Sequence, residues 1–299
     1  MIEGEKRSMS LLSPKRRNKG WTLIELLVAT ALSMIVLSAA MYFLITVNKR
    51  TSLDGVYNDM RQNAMISLKQ ISRVMKMAGA GIRGGIIRAY DKNGDSLAYL
   101  PVIYPYDNGS TTPDSVFVRL IDGDCKTTIT KRMPNSSAEL CVADPSCFQQ
   151  KDLILITDGR TCSMLQVSHV QIAAKKLQHN PGVDYPYNPP GGKNIFPPGG
   201  YGPGAWVIRI QDMRIKIDNS DPKRPYLKVI YSKWPAPDEE YLFADNIENF
   251  QITPPVANAT LYTVSITIRS DKKFPGKSEY PDGYLRFTTS TKISMRNIE

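Results

Sequence analysis

Residues that could perform chemistry are few in this chain and are not clustered. The only two histidines are His169, in a strand-like run, and His179, beside a segment rich in proline and glycine. These settings indicate surface or structural roles for both. Ser270 and Lys273 have the spacing of the S-x-x-K nucleophile motif, but they lie at the end of a predicted strand and the companion motifs are missing. We therefore predict that the chain is not an enzyme and has no cofactor.

Alternating oxygen-bearing side chains at Asp91, Asn93 and Asp95 suggest a loop that could bind calcium. An EF-hand loop needs glycine at its sixth position and glutamate at its twelfth, where this chain has Ser96 and Val102. The Asn-Gly pair inside the stretch is instead typical of a tight turn. We favour a turn over a calcium site and predict no bound metal.

The cysteines suggest disulfide bonds rather than a metal centre. They contain no C-x-x-C pair and no histidine lies among them, which disfavours zinc. An even set in an oxidising compartment favours disulfides, for which three connectivities exist. Pairing neighbours across successive hairpins is the arrangement we prefer, and the other two stay open. The candidates are Cys125 with Cys141 and Cys147 with Cys162.

An apolar segment near the N-terminus is long enough to cross a membrane. Residues 21–47 carry a single charge, that of Glu25, and exceed the roughly 20 residues that a membrane-spanning helix needs. Basic residues are concentrated in the preceding run at 15–19, so the positive-inside rule places the N-terminus in the cytoplasm. A secretory signal would have its small-residue cleavage site after the apolar run, whereas here Gly20 precedes it.

The order Lys19-Gly20 followed by residues 21–29 (WTLIELLVA) resembles the processing motif of type IV prepilins and of type II secretion pseudopilins. The resemblance implies that a prepilin peptidase cuts after Gly20 and methylates the new amine of Trp21. It also identifies Glu25 as the family's intramembrane glutamate. Trp21 stands where the family mostly has phenylalanine, and either Met1 or Met9 could begin the leader.

The resemblance also implies partners and a location. The partners would be the prepilin peptidase, other major and minor pilins and an inner-membrane assembly platform. The chain would cross the bacterial inner membrane once, with a periplasmic C-terminal domain, before it enters a pilus.

Physical chemistry suggests a role for Glu25. A carboxylate at the centre of a membrane costs about 2.5–3.5 kcal/mol and usually has a partner. The amine that cleavage creates at Trp21 of a neighbouring chain could pair with it, so that each charge relieves the burial cost of the other. The alternative is a glutamate that reaches water at the interface.

Hydrophobic periodicity predicts an α+β fold of the pilin type. Apolar residues spaced by three or four continue from Leu53 to Ala78, so one helix is expected over 21–78, with a membrane half at 21–47 and an amphipathic half at 48–78. Glycines at 79–85 end it. A mostly antiparallel β-rich domain is expected at 79–299, with strands at 115–120, 153–157, 164–167, 207–210, 227–231, 262–268 and 284–288.

Two further segments of this domain call for separate predictions. Residues 180–204 are rich in proline and glycine and contain four aromatic residues, so we expect a flexible surface loop, or else a docking surface built on exposed aromatics. Residues 244–251 are expected to form a short helical turn.

The downstream layout resembles that of PilW-type minor pilins and favours a minor pilin. The lack of proline in the apolar segment favours a minor pilin or a pseudopilin over a major pilin. A pseudopilin of a type II secretion system and a filament-tip subunit that binds a surface or DNA are the alternatives. The net charge is +10, but the leader 1–20 has six basic and two acidic residues and supplies four of these charges. Because no basic cluster with aromatics appears elsewhere, we do not expect nucleic-acid binding.

Overall fold

The structure is a computed structural model that describes residues 21–91, 96–191, 193–232, 238–276 and 278–297. It has an α+β fold, with one long helix followed by β-strands, as predicted. The elements are the helix α1 (Leu23–Met77) and the strands β1 (Ile86–Asp91), β2 (Ser96–Pro101), β3 (Ile103–Tyr106), β4 (Ser115–Thr128), β5 (Leu140–Cys141), β6 (Leu153–Thr157), β7 (Cys162–Gln166), β8 (His169–Gln171), β9 (Lys176–Gln178), β10 (Trp206–Asp218), β11 (Tyr226–Tyr231), β12 (Glu239–Asp245), β13 (Ile247–Thr253), β14 (Leu261–Lys273) and β15 (Tyr284–Ser294).

Helix α1 confirms the predicted single helix and ends where the glycines begin. Gly79 has a φ of +67°, in the left-handed region that side chains with a Cβ rarely adopt. A Cβ at this position would also lie 2.9 Å from a side-chain carbon of Val102. The helix therefore stops at a position that both backbone conformation and close packing reserve for glycine.

The chain divides into two compact units, and the boundary falls inside α1 between Gly55 and Val56. The first unit contains the apolar part of the helix. The second contains the remaining turns of α1 and all the strands. Within this second unit the buried face of α1 is formed by Met60, Ala64, Leu68, Ile71 and Met75, whose spacing of three or four matches the predicted amphipathic pattern.

A nine-stranded sheet is the largest element of the second unit. Its order is β12-β11-β10-β6-β7-β1-β2, and β4 pairs with both β10 and β3. The pairs are antiparallel except β1 with β7. Asp158-Gly159, a pair typical of hairpin turns, lies between the antiparallel strands β6 and β7.

Two three-stranded sheets accompany the large sheet, in the orders β13-β14-β15 and β5-β9-β8. Asp114, just before β4, connects the large sheet to β13. Its backbone N–H donates to the Phe250 carbonyl at 2.7 Å, and its carboxylate accepts from the Ile252 N–H at 2.9 Å. Strand β13 thus has a hydrogen-bonded neighbour on each side.

The helical turn predicted for residues 244–251 is wrong. Strand β12 ends at Asp245, Asn246 turns the chain with a φ of +60°, and β13 begins at Ile247. Phe250 and Ile252 are both buried, an alternation that suits a strand covered on one face. Pairing with the distant strand β14 therefore decides the conformation of this segment.

Among its described residues, the segment 180–204 contains no strand of the three sheets, but the expected exposure of its aromatic residues is wrong. Phe196 and Tyr201 are buried in a cluster with Met133 and Ile195, and their rings meet edge to face at 4.9 Å. The guanidinium of Arg88 donates to the carbonyls of Ile195 and Phe196 at 2.9 and 3.3 Å. Part of the segment therefore belongs to a core, whereas other parts lie on the surface, including Val183, which is 97% exposed.

Candidate functional site

The site that sequence analysis singled out lies at the start of α1. Gly20, the residue that would precede the cut, is outside the described residues, as is the basic run before it. Trp21 is the first described residue, and its side chain is 74% exposed. Thr22 lies outside the helix, which begins at Leu23.

Thr22 and Glu25 form a reciprocal cap at this helix end. The Glu25 carboxylate accepts from the backbone N–H of Thr22 at 2.9 Å and from its hydroxyl at 3.0 Å, while the Thr22 hydroxyl accepts from the Glu25 N–H at 3.3 Å. This is a capping box, which satisfies N–H groups that a helix start leaves without intrahelical partners. Sequence analysis missed it, although the T-x-x-E pattern was visible.

The cap gives Glu25 a role within its own chain. Its carboxylate folds back toward the residue that would become the N-terminus, and the positive end of the helix dipole favours an anion there. Its neighbours on the helix surface are apolar: Trp21, Ile24, Val28, Ala29 and Leu32 line a shallow depression with it. A carboxylate is therefore held at a defined position on an otherwise apolar surface.

Helix α1 is long and apolar enough to cross a membrane. The residues of its apolar part are largely exposed within the chain, including Leu23, Ile24, Leu37 and Phe43 at 66–80%. Exposed apolar area of this extent needs a bilayer or other apolar helices as its surroundings.

The cysteine pairing that we preferred is wrong. Cys125, near the end of β4, is bonded to Cys147, and their Cα atoms lie 5.5 Å apart. Cys141 is a buried free thiol in β5, and Cys162 is buried at the start of β7, where its thiol donates to the Thr157 hydroxyl at 3.2 Å. The chain does turn back between β4 and β5, and Ile129 then forms an antiparallel bridge with Val142. In that register Cys125, four residues before Ile129, lies level with residue 146, four residues after Val142, so that Cys147 rather than Cys141 is its neighbour.

The residues weighed for catalysis lie in different settings. His169 is exposed in β8, whereas His179 is buried and its Nε2 donates to the Ser136 carbonyl at 2.9 Å. Burial lowers the pKa of His179 from its ordinary value. Ser270 is buried, with its hydroxyl donating to the carbonyl of Lys272 and accepting from the N–H of Leu285, so it has a structural part in the β14–β15 ladder.

The side chains of residues 91–96, which form the candidate calcium loop, lie outside the described part of the structure, so this prediction is not tested. Among the residues that are described, no group of three or more histidine, cysteine, aspartate or glutamate side chains could hold a metal ion.

Comparison with known proteins supports the predicted resemblance of the N-terminal segment to prepilins. Residues 15–41 match the family model described as the prokaryotic N-terminal methylation motif. No curated protein and no solved structure matches the chain. The motif supports a precursor of the type IV pilin or pseudopilin kind, processed by a prepilin peptidase. It suggests a structural protein rather than an enzyme, and with the single apolar helix it is consistent with membrane anchoring.

Proposed function

We propose that this chain is a minor pilin of a type IV pilus machinery, of the PilW type, that takes part in pilus assembly through α1. The observation that carries the proposal is the methylation motif at 15–41 running directly into a 55-residue helix. The leader at 1–20 is removed after Gly20, and the amine of Trp21 is methylated. Residues 79–299 then form the periplasmic domain that contacts other pilins.

The physical basis of assembly is the exchange of one apolar environment for another. Before assembly, residues 21–47 lie in the inner membrane with the N-terminus on the cytoplasmic side. In the filament the same surface packs against the helices of neighbouring subunits, so the transfer exposes little apolar area to water. Glu25 pairs with the Trp21 amine of a neighbour, which compensates both charges in a low-dielectric bundle and fixes the axial register of the two helices.

The capping box makes a sharp test of this pairing feasible. Glu25→Gln preserves the capping geometry, because glutamine also serves at this position, but removes the charge. We expect this variant to be inserted and cleaved like the unmodified chain and to enter filaments as poorly as Glu25→Ala. Thr22→Ala is the matched control, since it weakens the cap and keeps the carboxylate. Normal filament entry of Glu25→Gln, measured by immunoblot of sheared pili, would refute the pairing.

A pseudopilin of a type II secretion system is the second candidate. The observation in its favour is that no proline interrupts α1, whereas major pilins often carry one in the apolar half. Complementation of minor-pilin and pseudopilin deletion strains separates the two, because only the correct machinery regains piliation or secretion.

A further inference from the structure

The outermost strand of the large sheet, β12, has the features of a docking edge. Within the described residues it pairs with β11 alone. None of its seven residues is buried, whereas four consecutive residues of β11 are. Tyr241 and Leu242 are neighbours that point to opposite faces, and they are 53% and 59% exposed. Side chains on both faces of β12 are therefore accessible, and no strand of the described residues pairs with its outer edge.

Such an edge is suited to receiving another strand. Every second residue of an edge strand directs its N–H and C=O groups outward, where an extended chain can pair with them. A strand that makes one ladder and buries nothing also gains stability when a further strand covers it. Addition of a strand would supply the second ladder and cover part of the apolar surface of Tyr241 and Leu242.

The charges of β12 indicate what the added strand carries. The strand has three acidic residues, Glu239, Glu240 and Asp245, and no basic one, in a chain with a net charge of +10. Lys228 of β11 reaches Glu240 at 2.9 Å, but it is shared with Asp218, which it contacts at 2.7 Å. Glu239 accepts a hydrogen bond from the Tyr241 hydroxyl at 3.0 Å, which leaves its charge in place. With three carboxylates the strand is acidic, and a basic strand is its electrostatic complement.

The order of the side chains makes this complement more specific. Glu239 and Tyr241 share one face of β12, and Glu240 and Leu242 share the other. Residues directly opposite each other on paired strands interact. An antiparallel partner would therefore place two adjacent apolar residues opposite Leu242 and Tyr241, followed by two adjacent basic residues opposite Glu240 and Glu239.

We propose that β12 pairs with an extended basic strand of another filament subunit, which carries two adjacent apolar residues followed by two adjacent lysines or arginines. The inference rests on the proposed function, because it gives the chemistry of one contact between this subunit and its neighbours. In this contact, backbone pairing supplies the affinity, and Glu239 and Glu240 supply the selectivity for a basic strand.

The test uses the full chain in detergent and dye-labelled synthetic peptides. The probe is Thr-Val-Ile-Lys-Lys-Thr, and its charge-reversed counterpart is Thr-Val-Ile-Glu-Glu-Thr. Fluorescence anisotropy should show that the lysine peptide binds more tightly by about tenfold or more, a ratio that corresponds to about 1.4 kcal/mol. The double variant Glu239→Lys with Glu240→Lys should reverse this preference. Asp124→Lys with Asp271→Lys, which changes two exposed carboxylates elsewhere by the same charge, should leave it unchanged.

Backbone pairing has its own control. Two versions of the lysine peptide, N-methylated on odd or on even residues, block opposite sets of N–H groups. Only one version should lose affinity if the peptide adds as a strand. Equal binding of the two versions, equal binding of the lysine and glutamate peptides, or an unchanged preference in the Glu239/Glu240 variant would each overturn the proposal.

Two further measurements separate the remaining outcomes. The Glu239/Glu240 variant should enter filaments less than the Asp124/Asp271 control. If the chain associates with itself, and the Glu239/Glu240 variant abolishes this self-association while the control does not, the partner is a second copy of the chain and the proposed choice of partner is overturned. Leader removal does not depend on β12. If the chain is processed but fails the peptide test, only the proposed strand pairing at β12 is refuted. If the chain keeps residues 1–20, the proposed function is refuted.

Discussion

The disulfide between Cys125 and Cys147 allows a quantitative prediction. The two residues are 22 positions apart, and closing a loop of that length removes chain entropy from the unfolded state worth about 3 kcal/mol in the loop-entropy model. Cys125 is also buried, so its replacement must be small and apolar. The double variant Cys125→Ala with Cys147→Ala removes the bond without leaving an unpaired reactive thiol.

We expect this variant to fold with a lower melting temperature. For a unit of the size of Val56–Glu299, each kcal/mol corresponds to about 2–4 °C, which gives a fall of about 6–12 °C. Near-ultraviolet circular dichroism of the full chain in detergent measures it, with and without reductant. Cys141→Ala is the matched control, because it replaces a buried cysteine that forms no disulfide. The melting temperature of this control should still fall when reductant is added.

Peptide mapping tests the connectivity itself. Non-reducing digestion followed by mass spectrometry should recover a cross-linked fragment that joins Cys125 and Cys147. A fragment joining Cys125 to Cys141 would refute the register in which Ile129 faces Val142. If the double variant and Cys141→Ala have the same melting temperature, the stabilisation assigned to the Cys125–Cys147 disulfide is refuted.

Three further predictions concern the stability of the second unit. Asp212→Asn breaks a bidentate pair with Arg119, whose side chains are only 5–6% exposed, and should cost about 3–5 kcal/mol in chemical denaturation; Asp122→Asn, in a pair that is 24–29% exposed, should cost less. Gly200→Ala should cost about 2–5 kcal/mol, because φ is +65° and a Cβ would lie 2.2 Å from a carbonyl oxygen; a cost under 1 kcal/mol would contradict this packing. Burial lowers the pKa of His179, so its contribution to stability is present above its ordinary pKa of about 6.5 and is lost as pH falls below it, by up to about 1.4 kcal/mol per pH unit; His179→Gln should flatten the fall in melting temperature between pH 7 and 5.

The helix was predictable because its signals are local. Apolar spacing, the lack of proline and the glycines that follow Met77 all act within a few residues of the position they determine. The predicted strand runs lie within β4, β6, β10, β11, β14 and β15, and that at 164–167 lies in β7 apart from its last residue. Runs of β-branched residues were sufficient to predict these strands.

The errors concern contacts between distant parts of the chain. Whether Cys125 meets Cys141 or Cys147 depends on where the chain turns back, which no local pattern encodes. Phe196 and Tyr201 are buried only because Met133 and neighbouring residues fold over them. Strands β1, β2, β3 and β12 were not among the predicted strands. The short strands β5, β8 and β9 were missed as well, since two or three residues give no readable period.

The candidate site was predictable for a different reason. Glu25 is conspicuous because it is the only charge in an apolar run, and the glycine before that run indicates processing. The capping partner Thr22 is three residues away, which is a local signal that sequence analysis overlooked. By contrast, the exposed edge at β12 depends on the order of strands in a sheet and was invisible in the sequence.

The mass of the N-terminal peptide tests the central claim most directly. Protein purified from cells with an active prepilin peptidase should begin at Trp21 and carry one additional methyl group on its amine. The same protein from cells that lack the peptidase should retain the leader. A functional protein that keeps its first 20 residues in the presence of the peptidase would contradict the account.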